Sequence, residues 1–173
     1  MPSTKIIPCS ITDLHVLQDI AINSYGDHYL YLWHDGGMWY INRCFSDAAL
    51  KKELEDSNAA FFLIYTDNEL VGFLKLNIDK AIEGYTEQEA LELERIYLIK
   101  SASGKGIGKA AVAFTKQLAQ ERDKKVIWLK AMDSSKSVNF YEQNGFEECG
   151  TYTLDFEAMK EEYRGMYLMK LEI

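Results

Sequence analysis

Few cysteines, fewer prolines and a deficit of positive charge frame this 173-residue chain. Cys9, Cys44 and Cys149 are odd in number, far apart and without CxxC spacing. Neither a zinc ribbon nor a disulfide framework is signalled, and reduced thiols in a cytoplasm are the expectation. The only prolines are Pro2 and Pro8. No Pro/Ser-rich linker, low-complexity tract or internal repeat occurs, so one domain over residues 1–173 is expected. His15, His28 and His34 lack HxxxH or HxH spacing, and no metal is expected. Lys and Arg number 19 against 27 Asp and Glu, a formal net charge of −8. Nucleic acid recruits a basic surface, so it is not an expected partner. An acidic balance suits a cationic substrate and serves plain solubility equally. No stretch approaches a membrane span and "MPSTKIIPCSITDL" has no apolar leader core, so no membrane association is expected.

What is present is enough apolar material for a core: 47% hydrophobic and 13% aromatic residues. "TKIIP" predicts a short strand. Thr12 and Asp13 open a helix through "LHVLQDIAINSYG", ended by Gly26. The aromatic stretch "DHYLYLWHDGGMWYINRCF" predicts short helices with a loop, and Ser46 is the N-cap of a helix through "SDAALKKELEDS". "AAFFLIYT" and "ELVGFLKLNI" flank Asp67-Asn68 as a hairpin. A polar loop leads to the strand "LELERIYLI", then glycines, then a helix of about five turns over "IGKAAVAFTKQLAQERDKK". The strand "VIWLKAM", a helix over "SSKSVNFYEQNG" closed by Asn144-Gly145, and strands in "FEECGTYTLDF" and "RGMYLMKLEI" complete the order. Only one segment reads as a βαβ crossover. The expected class is α/β, with a mixed, mostly antiparallel sheet of about seven strands and helices on both faces.

The stretch "SASGKGIGKAAV" (101–112) alternates Gly104, Gly106 and Gly108 with other residues. Strand, glycines and helix together put unpaired N–H groups and the positive end of a helix dipole at one place. Glycine lets an anion reach that backbone, and Lys105 and Lys109 add charge. A tight strand-to-helix turn alone would also use glycine. A Walker loop counted from Gly104 needs glycine where Lys109 stands, so that reading fails. A dinucleotide fingerprint does match Gly106, Gly108 and Ala111, with Asp133 ending the next strand. Too few βα units follow to build its doubly wound domain.

The stretches "RIYLIKSASGKGIGKAAV" and "VIWLKAMDSSKSVNFYEQNGFEE", with Phe140-Tyr141 and Gly145-Phe146 closing the second, resemble the two signatures of the GNAT family of N-acetyltransferases. The element order and the hairpin "ELVGFLKLNI" are similar too, and the resemblance covers residues 60–150. Within the family, "GFLKLN" followed by "LELERIYL" is most similar to the PaiA-type bacterial polyamine acetyltransferases. The resemblance implies an acyl-CoA N-acyltransferase fold, with residues 1–58 on the acceptor side and 59–173 as the acetyl-CoA-binding core.

It further implies acetyl-CoA as co-substrate, attacked directly by an amine. Gly104, Lys105, Gly106, Ile107, Gly108 and Lys109 would hold the pyrophosphate. Tyr97, Leu98 and Ile99 would end a strand that splays from "VIWLKAM" and pairs with the pantetheine arm. The N–H near Leu98 would stabilise the oxyanion. Alkyl amines are mostly protonated near neutrality, so a base is needed. Glu92 matches the family's strand glutamate and Glu94, on the same strand face, is the second choice. Both would otherwise be solvent-facing strand carboxylates. Tyr141 matches the acid that protonates the leaving thiolate, and would otherwise be a buried helix aromatic. Two positions depart from the family's pattern. Ser103 stands where Gln or Arg is usual, and Ser134 where an Asn holding the pantetheine amide is usual.

The acceptor is a small-molecule primary amine on this reading, a polyamine such as spermidine being the specific candidate. Tyr25, Tyr29, Tyr31, Trp33, Trp39 and Tyr40 would cage an ammonium, with Asp27, Asp35 and Glu83 pairing further amines. Simple packing of a helical subdomain explains those aromatics as well. Acetylation of a protein or peptide amine, and a non-catalytic CoA-binding regulatory domain, are the alternatives. The closing strand "RGMYLMKLEI" is apolar enough to pair with a second copy, so a homodimer is an open expectation.

Overall fold

Alternation in "AAFFLIYT" sends Phe62 and Ile64 to one side and Phe61 and Leu63 to the other, and all four are buried. A strand buried on both faces needs a layer against each. The computed structural model describes residues 3–173, with Met1 and Pro2 outside the described residues, and it contains both layers. The strands are β1 (Thr4–Cys9), β2 (Ala59–Thr66), β3 (Glu69–Asn77), β4 (Ala90–Leu98), β5 (Val126–Met132), β6 (Glu147–Thr153) and β7 (Gly165–Glu172). The helices are α1 (Leu14–His28), α2 (Met38–Phe45), α3 (Asp47–Glu55), α4 (Ile107–Glu121) and α5 (Ser137–Gln143). Among the described residues, no helix is long and apolar enough to cross a membrane.

One sheet holds all seven strands in the order β1-β2-β3-β4-β5-β7-β6. Every neighbouring pair is antiparallel except β4 and β5, which α4 joins as a crossover. On one face Phe62, Leu74, Leu91, Ile127 and Met169 pack with Ile107, Val112 and Ala119 of α4. On the other, Phe61, Leu63 and Phe73 pack with Leu17, Ile20 and Tyr25 of α1 and with Phe45 and Leu50 of α2 and α3. Each such side chain withdrawn from water contributes about 1.5–3 kcal/mol, which makes these two layers the main support of the fold.

Local signals behave as chemistry requires. The Ser46 hydroxyl accepts from the Ala49 N–H and caps α3. Asp67 and Asn68 sit at φ 49° and 68°, the left-handed pair that a two-residue hairpin turn demands. Two boundaries differ from the sequence reading. Gly26 does not end α1, which runs on to His28. Contact of the tilted Tyr25 and Tyr29 rings (centroids 5.2 Å apart) and the Tyr29 N–H donating to the Tyr25 carbonyl carry the helix past the glycine. Helix α4 is shorter than expected, 15 residues. Asp123 turns left-handed at φ 55° and the Lys124 N–H folds back onto the Ala119 carbonyl.

Candidate active site

The register of β4 against β5 stops early. Ala90, Leu91 and Glu92 pair with Val126, Ile127 and Trp128, and nothing beyond them does. Strand β4 still runs to Leu98 and β5 to Met132. The two strands part, and a cleft of about 1380 Å³ opens between them. Glu92, Glu94, Tyr97 and Leu98 line it from β4, Lys130 and Met132 from β5, and Tyr141 from α5.

The free edge of β4 can be assigned atom by atom. The Ile99 N–H donates to the Val71 carbonyl, and Leu98 faces Gly72 in the register. Antiparallel strands alternate their bonding, so the Leu98 N–H and C=O turn away from β3. His28 Nε2 lies 2.9 Å from that carbonyl oxygen. Gly72 is required here, since a Cβ would run into the Tyr97 carbonyl and the Leu98 side chain.

The glycine loop lies at the other end of the cleft. Gly104 and Gly106 hold φ of 75° and 81°, where a side chain would be strained. Gly106 is the N-cap of α4 and no side chain caps it, so the first-turn N–H groups are open to an anion. Gly108 lies under the Phe140 ring, 3.2 Å from where a Cβ would be. Ser103, Gly104, Gly106, Gly108 and Lys109 line the cleft. This uncapped helix start beside open glycine backbone fits a pyrophosphate. Lys105 lies outside the lining on exposed loop, Ile107 is core, and Ile99 packs into both layers.

Ser134 is exposed and outside the lining. Its neighbour Ser135 lines the cleft instead, with its hydroxyl accepting from the Ser137 N–H. The phase of the turn before α5 decides which serine points inward.

Glu92 and Glu94 share one strand face, and the Asn77 side-chain nitrogen reaches both, at 2.8 and 3.1 Å. Their electrostatics diverge. Burial raises the Glu92 carboxyl above the usual carboxylate range, partly offset by the Asn77 hydrogen bond. Burial pushes Glu94 up too, but Arg95 and Lys75 outweigh it and hold its carboxyl below that range. Glu94 Oε2 lies 2.9 Å from Lys75 Nζ and 3.2 Å from Arg95 Nε. Glu53 of α3 joins both cations at 2.9 and 3.0 Å. Burial raises the Tyr141 phenol, with Tyr29 adding to it, so Tyr141 stays protonated. Its ring packs on Phe140 and Phe146 at 5.0 and 5.6 Å.

The N-terminal aromatics divide. Trp33 Nε1 donates to the Tyr25 hydroxyl at 2.7 Å and both rings are buried, yet both also line the cleft, as do Tyr29 and Tyr40. Tyr40 stacks on Tyr25 and Trp33, at 4.6 and 4.9 Å. Tyr31 turns out to solvent beside Tyr163. Trp39 is covered by the Arg43 guanidinium. Asp27 accepts from the Lys100 N–H, and Asp35 from the N–H groups of Gly37 and Trp39. Neither these two carboxylates nor Glu83 lines the cleft.

Three features of the cleft carry no strong sequence signal. His28 belongs to no spacing pattern. The ion pairs join residues far apart in the chain, as with Arg95 and Glu53, 42 positions apart. Ser135 differs from Ser134 only in helix phase.

The family model described as the acetyltransferase (GNAT) family matches residues 17–146. An uncharacterized N-acetyltransferase of Lactobacillus delbrueckii subsp. lactis is 31% identical over 107 residues, covering 61% of this chain and 62% of that relative. The chain therefore aligns with under two thirds of that relative's length. The PaiA N-acetyltransferase of Thermoplasma acidophilum, solved in complex with coenzyme A, superposes with a TM-score of 0.74 at 22% identity, covering 99% of each chain. The spermidine N-acetyltransferase of Vibrio cholerae, solved with CoA and spermine, gives 0.72 at 18% identity, covering 98% of this chain and 95% of that one. With a matched family model over most of its length, the parted sheet and the uncapped glycine loop, the chain belongs to the GNAT family, the N-acetyltransferases that draw on acetyl-CoA.

Proposed function

We propose that this chain transfers an acetyl group from acetyl-CoA to a primary amine. The observation that carries the reading is the parting of β4 from β5 after Glu92 and Trp128. It opens one cleft that joins an anion-binding helix start, a free strand edge, a buried carboxylate and a protonated phenol.

The backbone of residues 104–109 would hold the pyrophosphate, with Lys109 at the rim. The free edge of β4 would pair with the pantetheine amides. When bound, acetyl-CoA supplies a thioester carbonyl open to attack. The Leu98 N–H donates to that oxygen as negative charge develops on it. Glu92 takes one proton from the acceptor ammonium, directly or through water, and frees the attacking lone pair. The C–N bond forms, the C–S bond breaks, Tyr141 gives its proton to the departing thiolate, and the nitrogen, which still holds two protons, releases one to solvent as the neutral amide forms. Solvent then restores the proton of Tyr141 and removes that of Glu92.

For the acceptor, a polyamine of the spermidine type is the specific proposal. Its support is the likeness to a PaiA N-acetyltransferase and to a spermidine N-acetyltransferase. The three free thiols suit a cytoplasmic setting for it. The test is release of free CoA from acetyl-CoA with spermidine, spermine, aminoglycosides, amino acids and lysine peptides. Turnover with one polyamine supports the whole reading. Turnover with peptides alone replaces the acceptor. Stabilisation by acetyl-CoA with no turnover on any amine overturns catalysis and leaves a CoA-binding regulator.

A further inference from the structure

Asn77 ends β3 directly across from Glu92 in the sheet register. Its amide carries two protons, and each is committed: one to Glu92 Oε2 at 2.8 Å, one to Glu94 Oε1 at 3.1 Å. The amide has no alternative orientation, because its oxygen would then meet two acceptor carboxylates.

Beyond that shared donor the two glutamates live differently. Glu94 belongs to a quartet with Lys75, Arg95 and Glu53, in which two buried cations meet two half-buried carboxylates. The Lys75 and Arg95 side chains are only 7% and 9% exposed there. Glu92 makes no ion pair among the described residues. Only its Oε2 is engaged, and Oε1 is left to the cleft that Glu92 lines. Strand β4 also bulges at this point. Lys75 faces Arg95 while Leu76 faces Leu93, so Glu94 is the extra residue. The bulge brings Glu94 under Asn77 without displacing Glu92.

We propose that Asn77 is a positioning residue for acetyl transfer, an inference that rests on Glu92 being the base. Asn77 fixes one oxygen of Glu92, aims the other into the cleft, and ties the base to a neighbour whose charge is already matched. Without the quartet, two carboxylates around one amide would share a proton and neither would be a defined base. With it, Glu94 is held ionised by its cations while burial lifts Glu92, so the two carboxyls titrate apart.

The charged groups around Glu92 are Glu94 and Arg95 on its own strand, Lys75 on β3, Lys80 in the loop that follows β3, Glu53 on α3 and Lys130 on β5. Replacing Asn77 removes none of these charges, and Glu94, which loses the same donor, keeps Lys75 and Arg95. A donor to the charged form favours that form, so its loss leaves burial and the Glu94 charge less opposed. The midpoint of Glu92 must then rise further.

The experiment is a carbon-detected titration of protein labelled at the glutamate carboxyl, with the Glu92 signal identified by its loss in Glu92→Gln. In Asn77→Leu the Glu92 midpoint moves up by about one pH unit. The acid limb of kcat/KM moves up with it, and kcat on the alkaline plateau falls as well, because the ionised base is no longer held in its orientation. Asn77→Ser keeps one donor and gives a smaller shift in the same direction, and it replaces the leucine variant if that does not fold. A Glu92 midpoint unmoved in a folded variant overturns the proposal. So does a titration in which Glu94 alone carries the shift. The titration needs no turnover. A chain that acetylates nothing would fail the functional proposal while still deciding this one.

Discussion

The ring nitrogen Nε2 of His28, the last residue of α1, lies 2.9 Å from the carbonyl oxygen of Leu98 at the end of β4. This contact ties α1 to the free edge of β4 at Leu98. As donor, His28 holds the Leu98 residue in the orientation that presents its N–H. His28→Leu is expected to lower kcat/KM by roughly fivefold, the value of one hydrogen bond of about 1 kcal/mol. His28→Gln, which can donate to the same oxygen, recovers part of the loss. Steady-state kinetics on both variants decide it, and wild-type kcat/KM in His28→Leu removes the histidine from the site.

Tyr141→Phe keeps the packing on Phe140 and Phe146 and removes only the hydroxyl. We expect kcat to fall by about 10²-fold, within the range for a lost general acid. The rise in melting temperature on adding CoA should match wild type. Undiminished turnover would assign thiolate protonation elsewhere.

Glu92→Gln separates stability from activity. Burial raises the folded-state carboxyl above its unfolded value. The folded chain therefore binds the extra proton between the two, and stability falls as pH rises through that window. Below the unfolded value both states are neutral and the cost vanishes. Glu92→Gln should raise Tm at pH 8 by roughly 2–4 °C, the effect of 1 kcal/mol in a domain of this size, and change it little at pH 4. Activity should fall at every pH and lose its acid limb. A lower Tm at pH 8 would mean that the carboxylate is not held against its solvation.

Lys75→Met leaves Glu53 and Glu94 with Arg95 as their only cation in the quartet. Breaking a fully buried pair from one side costs about 3–5 kcal/mol, and with Glu53 and Glu94 a quarter or more exposed the cost drops to about 2 kcal/mol. Chemical denaturation should show a loss of that order, nearly independent of salt, since buried pairs are poorly screened. A loss under 1 kcal/mol that vanishes in salt would make the quartet a surface feature.

The parts of this fold that were legible in the sequence are those written in neighbouring residues. Asp67-Asn68 announced the hairpin because two left-handed positions tolerate few residue types. The glycines at 104 and 106 announced the loop for the same reason. The order of elements, with its single βαβ crossover, announced a mixed sheet with helices on both faces. Long-range chemistry was not legible. Nothing local says that Glu94 will meet Lys75 while Glu92 will not. That difference comes from a one-residue bulge opposite Lys75 and Leu76. Nor does a lone histidine reveal that it closes on a backbone carbonyl 70 residues away. The aromatic N-terminal third reads equally as cage or core, and tertiary packing places Tyr25 and Trp33 in both, buried in the layer beside α1 and at the wall of the cleft.

The three-pair junction of β4 with β5 also makes the sheet a zipper left open at one end. Strands β1 to β4 form one leaf and β5, β7 and β6 another, hinged at Glu92 and Trp128. A molecule whose backbone amides lie in that opening does what a missing strand would do and sews the leaves together. Its binding energy is then also folding energy, about 2.7 kcal/mol at a hundredfold excess over Kd. The resistance of this chain to unfolding, or to a protease, becomes a gauge of how much acetyl-CoA surrounds it.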